Sequence, residues 1–151
     1  MTIIRPATPD DLDAMVRLLG HLFAQEAEFA PDPEAQRRGL DLILNDADAG
    51  RLLVAERDGR HIGMVGLLYT VSTALGGRVA LLEDMVVDPI ARGGGTGRAL
   101  LDGAIAQARA DGALRITLLT DGDNAGAQRF YARAGFTRSD MVAMRLMLQL
   151  A

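Results

Sequence analysis

The segment Val79-Ala80-Leu81-Leu82-Glu83-Asp84-Met85-Val86-Val87 is apolar at every position but two, and those two are adjacent carboxylates. Alternation along a strand sends neighbouring side chains to opposite faces, so Glu83 and Asp84 are predicted on opposite sides of a sheet. An apolar run this continuous reads as a strand covered on both faces. A carboxylate buried there pairs, shifts its pKa or borders a cavity, because leaving it bare is too costly. Two readings stand side by side: a carboxylate paired with an arginine or meeting solvent, and a proton acceptor in a cleft.

Asp88-Pro89 follows, then Arg92-Gly93-Gly94-Gly95-Thr96-Gly97-Arg98, then an amphipathic stretch. Strand, glycine loop and helix start form a geometry in which bare backbone N–H groups and a positive helix end receive phosphate. This is not a Walker loop, because the chain has no lysine, and Leu100 stands where G-x-G-x-x-G needs its third glycine. Four glycines within five residues are entropically expensive for a loop of no purpose. With two arginines bracketing them, they point to a pyrophosphate site.

A third constellation runs from Asp123-Asn124-Ala125 through Phe130-Tyr131 to Gly135-Phe136, on a helix capped by Asp123 or Asn124. Taken by themselves, Phe130, Tyr131 and Phe136 read as core anchors. Together the three pieces resemble the GNAT superfamily of acetyl-CoA-dependent N-acetyltransferases. Arg92-x-x-Gly95-x-Gly97 matches the acyl-CoA pattern [Q/R]-x-x-G-x-[G/A], and Asn124 to Phe136 matches N-x-x-A-x-x-F-Y-x-x-x-G-F almost throughout. Gln128 and Arg129 are diagnostic of no subfamily, and the first 78 residues follow the family's order of elements without a usable motif.

The resemblance implies a mixed, mostly antiparallel α/β sheet with helices on both faces and a splayed strand pair that binds CoA. Arg92, Gly93, Gly94, Gly95, Thr96, Gly97 and Arg98 would hold the pyrophosphate. The backbone of Met85, Val86 and Val87 would pair with pantetheine, with the Val86 N–H as oxyanion donor. Asn124 would orient the pantetheine arm, and Tyr131 would protonate the CoA sulfur. Glu83 is the expected general base, with Asp84 as its competitor. The expected reaction is acetyl transfer to a primary amine of a small molecule by direct attack in a ternary complex. A protein lysine or N-terminal acetyltransferase and a non-catalytic CoA-binding regulatory domain are the alternatives, and Glu83 with Tyr131 favours an enzyme. The resemblance leaves room for a homodimer. An acidic connection containing Glu26, Glu28, Asp32 and Glu34 would border the acceptor entrance.

Composition narrows the field. Twenty acidic against 16 basic residues give a net charge of −4, which disfavours a general nucleic-acid binder. Cysteine is absent, so thiolate metal sites and a Cys-linked acyl-enzyme are excluded. His21 and His61 have no metal-ligand spacing and read as surface residues; no metal is expected. Neither Ser72 nor Ser139 lies in a G-x-S-x-G elbow. The longest uncharged stretch, Ile62 to Gly77, falls short of the ~20 apolar residues of a membrane helix. No signal for export is visible, so a cytoplasmic protein with no membrane partner is expected.

Positioning these residues takes a full set of elements. Thr8-Pro9-Asp10-Asp11 opens a helix with an apolar stripe to about Gln25, and Pro33 opens a second to about Asn45. Leu52–Glu56 and Ile62–Tyr69 flank Asp58-Gly59, a type I′ hairpin turn. Gly76-Gly77 returns the chain into the strand Val79–Val87. A helix over Gly97–Asp111, a strand Ile116–Thr120, a helix Ala125–Ala134 and a final alternating strand Val142–Leu148 complete the prediction. With no repeat and no linker, residues 1–151 read as a single domain.

Overall fold

A computed structural model of the chain describes residues 1–25 and 30–148, so Glu26 and Glu28 of the acidic connection lie outside the described residues. The chain separates into two compact units, Met1–Leu118 and Leu119–Ala151.

The first unit contains β1 (Thr2–Pro6), α1 (Leu12–Gln25), α2 (Pro33–Leu44), β2 (Gly50–Arg57), β3 (Arg60–Ser72), β4 (Gly77–Val87), α3 (Thr96–Ala110) and β5 (Ile116–Leu118). Its sheet has the order β1-β2-β3-β4-β5. The first three pairings are antiparallel, and β4 with β5 is parallel.

Local chemistry explains the boundaries. Asp58 and Gly59 adopt φ of 51° and 75°, the left-handed pair that a type I′ turn needs. Ahead of α1, a 3-10 turn over Pro9–Asp11 is locked by the Thr8 N–H, which donates to Asp11 Oδ2 at 2.8 Å. Asp32 caps α2 by accepting from the Ala35 N–H.

Helices cover both faces of the sheet. Met15, Leu18 and Leu19 of α1 and Leu40 of α2 bury against Leu52, Val54, Met64 and Val86 on one face. On the other, α3 comes in close because two glycines leave room. A Cβ on Gly63 would stand 2.8 Å from Leu100 Cδ1 and 3.0 Å from the Val86 carbonyl, and one on Gly103 would stand 2.9 Å from Ile4 Cγ2.

Two charged clusters stitch the edges. Arg5 donates to both oxygens of buried Asp11 at 2.8 and 2.9 Å and to Glu56 at 2.9 Å. His61, expected at the bare surface, joins this cluster with Nε2 2.7 Å from Asp11 Oδ1. Position after a turn suggested exposure, but β3 starts one residue earlier and carries His61 across to the start of α1. At the opposite end of β3, Asp111 accepts from Arg51 at 2.9 Å, Tyr69 at 2.5 Å and Gln107 at 3.1 Å, while Arg78 lies 4.8 Å over the Tyr69 ring.

In the second unit α4 (Ala125–Arg133) is the described element. Tyr131 packs edge-on between Phe130 and Phe136, with centroids 5.0 and 5.8 Å apart. The expected strand Val142–Leu148 is not formed among the described residues. Alternation supplies a strand's side-chain pattern but not the ladder partner that a strand requires, and no second strand is described in that unit.

Candidate active site

The site grows from an irregularity in β4. Gly66 pairs with Glu83 and Met64 with Val86, so Asp84 and Met85 together oppose Val65 alone. This is a bulge. Asp84 absorbs it with φ of 56°, a left-handed conformation that aspartate tolerates better than most residues. One extra residue re-aims every side chain beyond it.

β5 leaves the sheet at the same level. Its register covers Ala80↔Ile116, Leu81↔Thr117 and Leu82↔Leu118 and goes no further. From Glu83 onward that edge of β4 has no ladder from β5. The Asp88 N–H donates to Ile62 O at 2.8 Å, and two-residue alternation therefore turns the Val86 N–H to β3 as well. This removes Val86, the expected oxyanion donor, from the open edge. The N–H groups of Met85 and Val87 lie there instead.

The two carboxylates differ in their surroundings. Glu83 sits opposite Gly66 and shares its face. A Cβ on Gly66 would meet Leu52 Cδ2 at 3.3 Å, which places Glu83 on the side covered by α1 and α2. It is exposed there, whereas Asp84 is half-buried in the bulge.

β4 ends in a 3-10 turn over Pro89–Ala91 that feeds the glycine loop. Buried Asp88 fixes this turn, accepting from the Ile90 N–H at 3.1 Å and from Arg17 of α1 at 2.8 Å. Arg17 also donates to the His61 carbonyl at 2.9 Å. Burial alone would raise the Asp88 carboxyl, but the Arg17 and Ile90 hydrogen bonds outweigh it and hold the group below its usual value. Gly95 then turns with φ of 83° at the N-cap of α3, and Thr96 is buried. A Cβ on Gly93 or Gly95 would meet nothing within 4 Å, so these glycines serve the turn and an open backbone face. Arg92 and Arg98 are exposed, and Arg98 pairs with Asp102 at 2.9 Å.

Asn124 and Tyr131 belong to the second unit. Asn124 caps α4, its Oδ1 accepting from the Ala127 N–H at 3.0 Å, which leaves its amide NH2 as the group with further capacity. Burial raises the Tyr131 phenol above its ordinary value. Two arginines at the loop escaped the sequence reading. Neither Arg17, which reaches Asp88, nor Arg57, which reaches Thr96 at the start of α3, left a signal, because each contact joins segments far apart in sequence.

A sequence profile described as acetyltransferase (GNAT) family matches residues 15–136, which run through both units. Among curated proteins, the uncharacterized N-acetyltransferase MJ1207 of Methanocaldococcus jannaschii is 30% identical over 92% of this chain and 62% of its own. A mycothiol acetyltransferase of Sanguibacter keddieii is 39% identical over 74% of this chain and 37% of its own. The chain thus spans less than two thirds of the length of these two relatives. An aminoalkylphosphonate N-acetyltransferase of Salmonella typhimurium is 31% identical, covering 90% of this chain and 85% of its own. A Clostridium acetobutylicum structure, described as a predicted acetyltransferase with acetyl-CoA, superposes with a TM-score of 0.79 at 19% identity, over 97% of this chain and 96% of its own.

Proposed function

The chain belongs to the acetyltransferase (GNAT) family, and on that premise we propose that it transfers an acetyl group from acetyl-CoA to a primary amine of a small molecule. One observation carries the reading: the bulge at Asp84, the β4 edge released after Leu82 and the glycine loop opening α3 follow each other along a single run of chain. The family profile crosses both units, which supports taking residues 1–151 as one catalytic domain. The relative whose length is best covered among those above acts, by its name, on an aminoalkylphosphonate, and this supports a small amine over a protein, nucleic acid or membrane partner.

Glycine-loop N–H groups receive the diphosphate on the open backbone face at Gly93 and Gly95. The open edge of β4 pairs with the pantetheine arm, the amide NH2 of Asn124 orients that arm, and the N–H of Met85 or Val87 faces the thioester oxygen. An aliphatic amine of pKa about 10.4 is neutral to only about one part in a thousand at pH 7, so a base is required. Glu83 takes the proton, directly or through water, with Asp84 as the competing base. The amine nitrogen forms its bond to the carbonyl carbon, the C–S bond breaks, and Tyr131 gives its proton to the departing sulfur.

The test is thiol release from acetyl-CoA across small amines, amino acids, aminosugars and peptides, with both substrates varied. Turnover of a small amine with intersecting double-reciprocal lines is expected. Acetylation of peptides alone would reassign the acceptor, parallel lines would demand an acyl-enzyme, and no release from any amine would overturn the reading.

A further inference from the structure

The β2–β3 hairpin ends beside the glycine loop and brings an unassigned charge with it. Arg57 of β2 donates through Nε to Thr2 Oγ1 at 3.0 Å and through Nη2 to Thr96 Oγ1 at 3.4 Å. The same Nη2 lies 3.5 Å from where a Cβ on Gly94 would stand. The guanidinium is thus seated against both the loop and the first residue of α3. Across the hairpin, Arg57 pairs directly with Arg60, and directly opposed residues share a face.

The local charges do not cancel. Among the described residues, neither Arg57 nor Arg60 has a carboxylate within ion-pair distance: Glu56 is engaged by Arg5, Asp102 by Arg98, and Asp58 is exposed in the turn. Like charges directly opposed on a strand pair are unfavourable. Hydroxyl partners hold Arg57 in place without neutralising it, so its field is delivered to whatever occupies the loop.

We propose that Arg57, backed by Arg60, is a further acetyl-CoA-recognition element, a cationic pair behind the glycine loop that favours the phosphate groups of the donor. The proposal rests on reading the loop as the diphosphate site. Arg57 acts through the loop, as a positioning and electrostatic residue, and its charge explains how the loop attracts a polyanion without a lysine.

The experiment measures CoA affinity by calorimetry, and kcat/KM with acetyl-CoA and with S-acetyl-pantetheine, which lacks every phosphate, for wild type, Arg57→Gln, Arg57→Lys and Arg60→Gln. Arg57→Gln should weaken CoA about five- to tenfold in low salt, with a smaller deficit in high salt. Arg57→Lys should restore most of the affinity, and S-acetyl-pantetheine turnover should be untouched. Arg60→Gln, at an exposed hairpin position, should show the same pattern more weakly and decides the matter if Arg57→Gln does not fold. Equal losses with both donors, or no loss in the Gln variants, would overturn the proposal while leaving the acetyltransferase reading intact. Absence of CoA binding in wild type would overturn that reading, and this proposal with it.

Discussion

The side-chain amide of Gln36 is buried on the inner face of α2, one turn from Leu40, and among the described residues neither Nε2 nor Oε1 has a hydrogen-bond partner. A buried amide without partners costs about 1–3 kcal/mol, and methionine has nearly the same length without the polar atoms. Gln36→Met is therefore expected to raise the unfolding free energy by about 1 kcal/mol, read as a higher denaturant midpoint at unchanged slope; a lower midpoint would show that the amide is used. Single residues were unevenly legible in the sequence. The adjacency of Glu83 and Asp84 within an apolar run was plain, and alternation put them on opposite faces. What alternation cannot show is a skipped beat: the bulge exists because β3 offers only Val65 against Asp84 and Met85, so the open N–H groups fall at Met85 and Val87 rather than Val86. Arg57 was invisible for a related reason, since its neighbours Thr2 and Thr96 are distant in sequence.

Among the elements, α3 depends most on fit. Leu100 occupies the space a side chain on Gly63 would fill, at 2.8 Å, and the Val86 carbonyl stands 3.0 Å away on another side. Gly63→Ala should push α3 off the sheet and cost about 2 kcal/mol. Because the glycine loop opens α3, CoA affinity should fall with stability. An alanine at Gly94 meets nothing nearer than Arg57 Nη2 at 3.5 Å, so Gly94→Ala should leave the thermal midpoint nearly unchanged. Equal midpoints for the two variants would disprove the seating argument. The elements themselves were readable wherever caps and periodicity coincide. Pro33, Asp58-Gly59 and the amphipathic stripe of α3 each gave boundaries within a few residues. The final strand Val142–Leu148 was misjudged because alternation describes a surface to be buried, and strand formation also needs a neighbour's free edge.

At the scale of the first unit, arginine–aspartate pairs clamp separate elements: Arg5 with Asp11, Arg17 with Asp88 and Arg51 with Asp111. Hydrogen bonding from Arg51, against the opposing effect of burial, brings the Asp111 carboxyl to about 2, from 3.8. Arg5 likewise holds Asp11 far below the ordinary carboxylate range, again against burial. A carboxylate depressed by folding adds stability that is complete above its unfolded value and is lost as pH falls through its folded one. Stability should thus be flat above pH ~5 and decline from about pH 4 downward, the Asp111 share, about 2 kcal/mol at neutral pH, being lost by about pH 2 and the Asp11 share below it. Asp111→Asn should lower the thermal midpoint at pH 7 and flatten the acid limb in a pH series; an unaltered acid limb would refute the assignment. The division at Leu118 into two compact units was not legible, because no proline- or glycine-rich linker marks it.

Those clamps have one more property. Every cation in them is a guanidinium, and the chain contains no lysine. A lysine in such a place would be an amine open to acetylation, and its acetylation would erase the charge that the ion pair needs. Arginine stays protonated and does not attack acyl groups at working pH. The scaffold's electrostatic joints are therefore inert to the chemistry proposed for the cleft, and no side-chain amine of these 151 residues competes with the proposed acceptor.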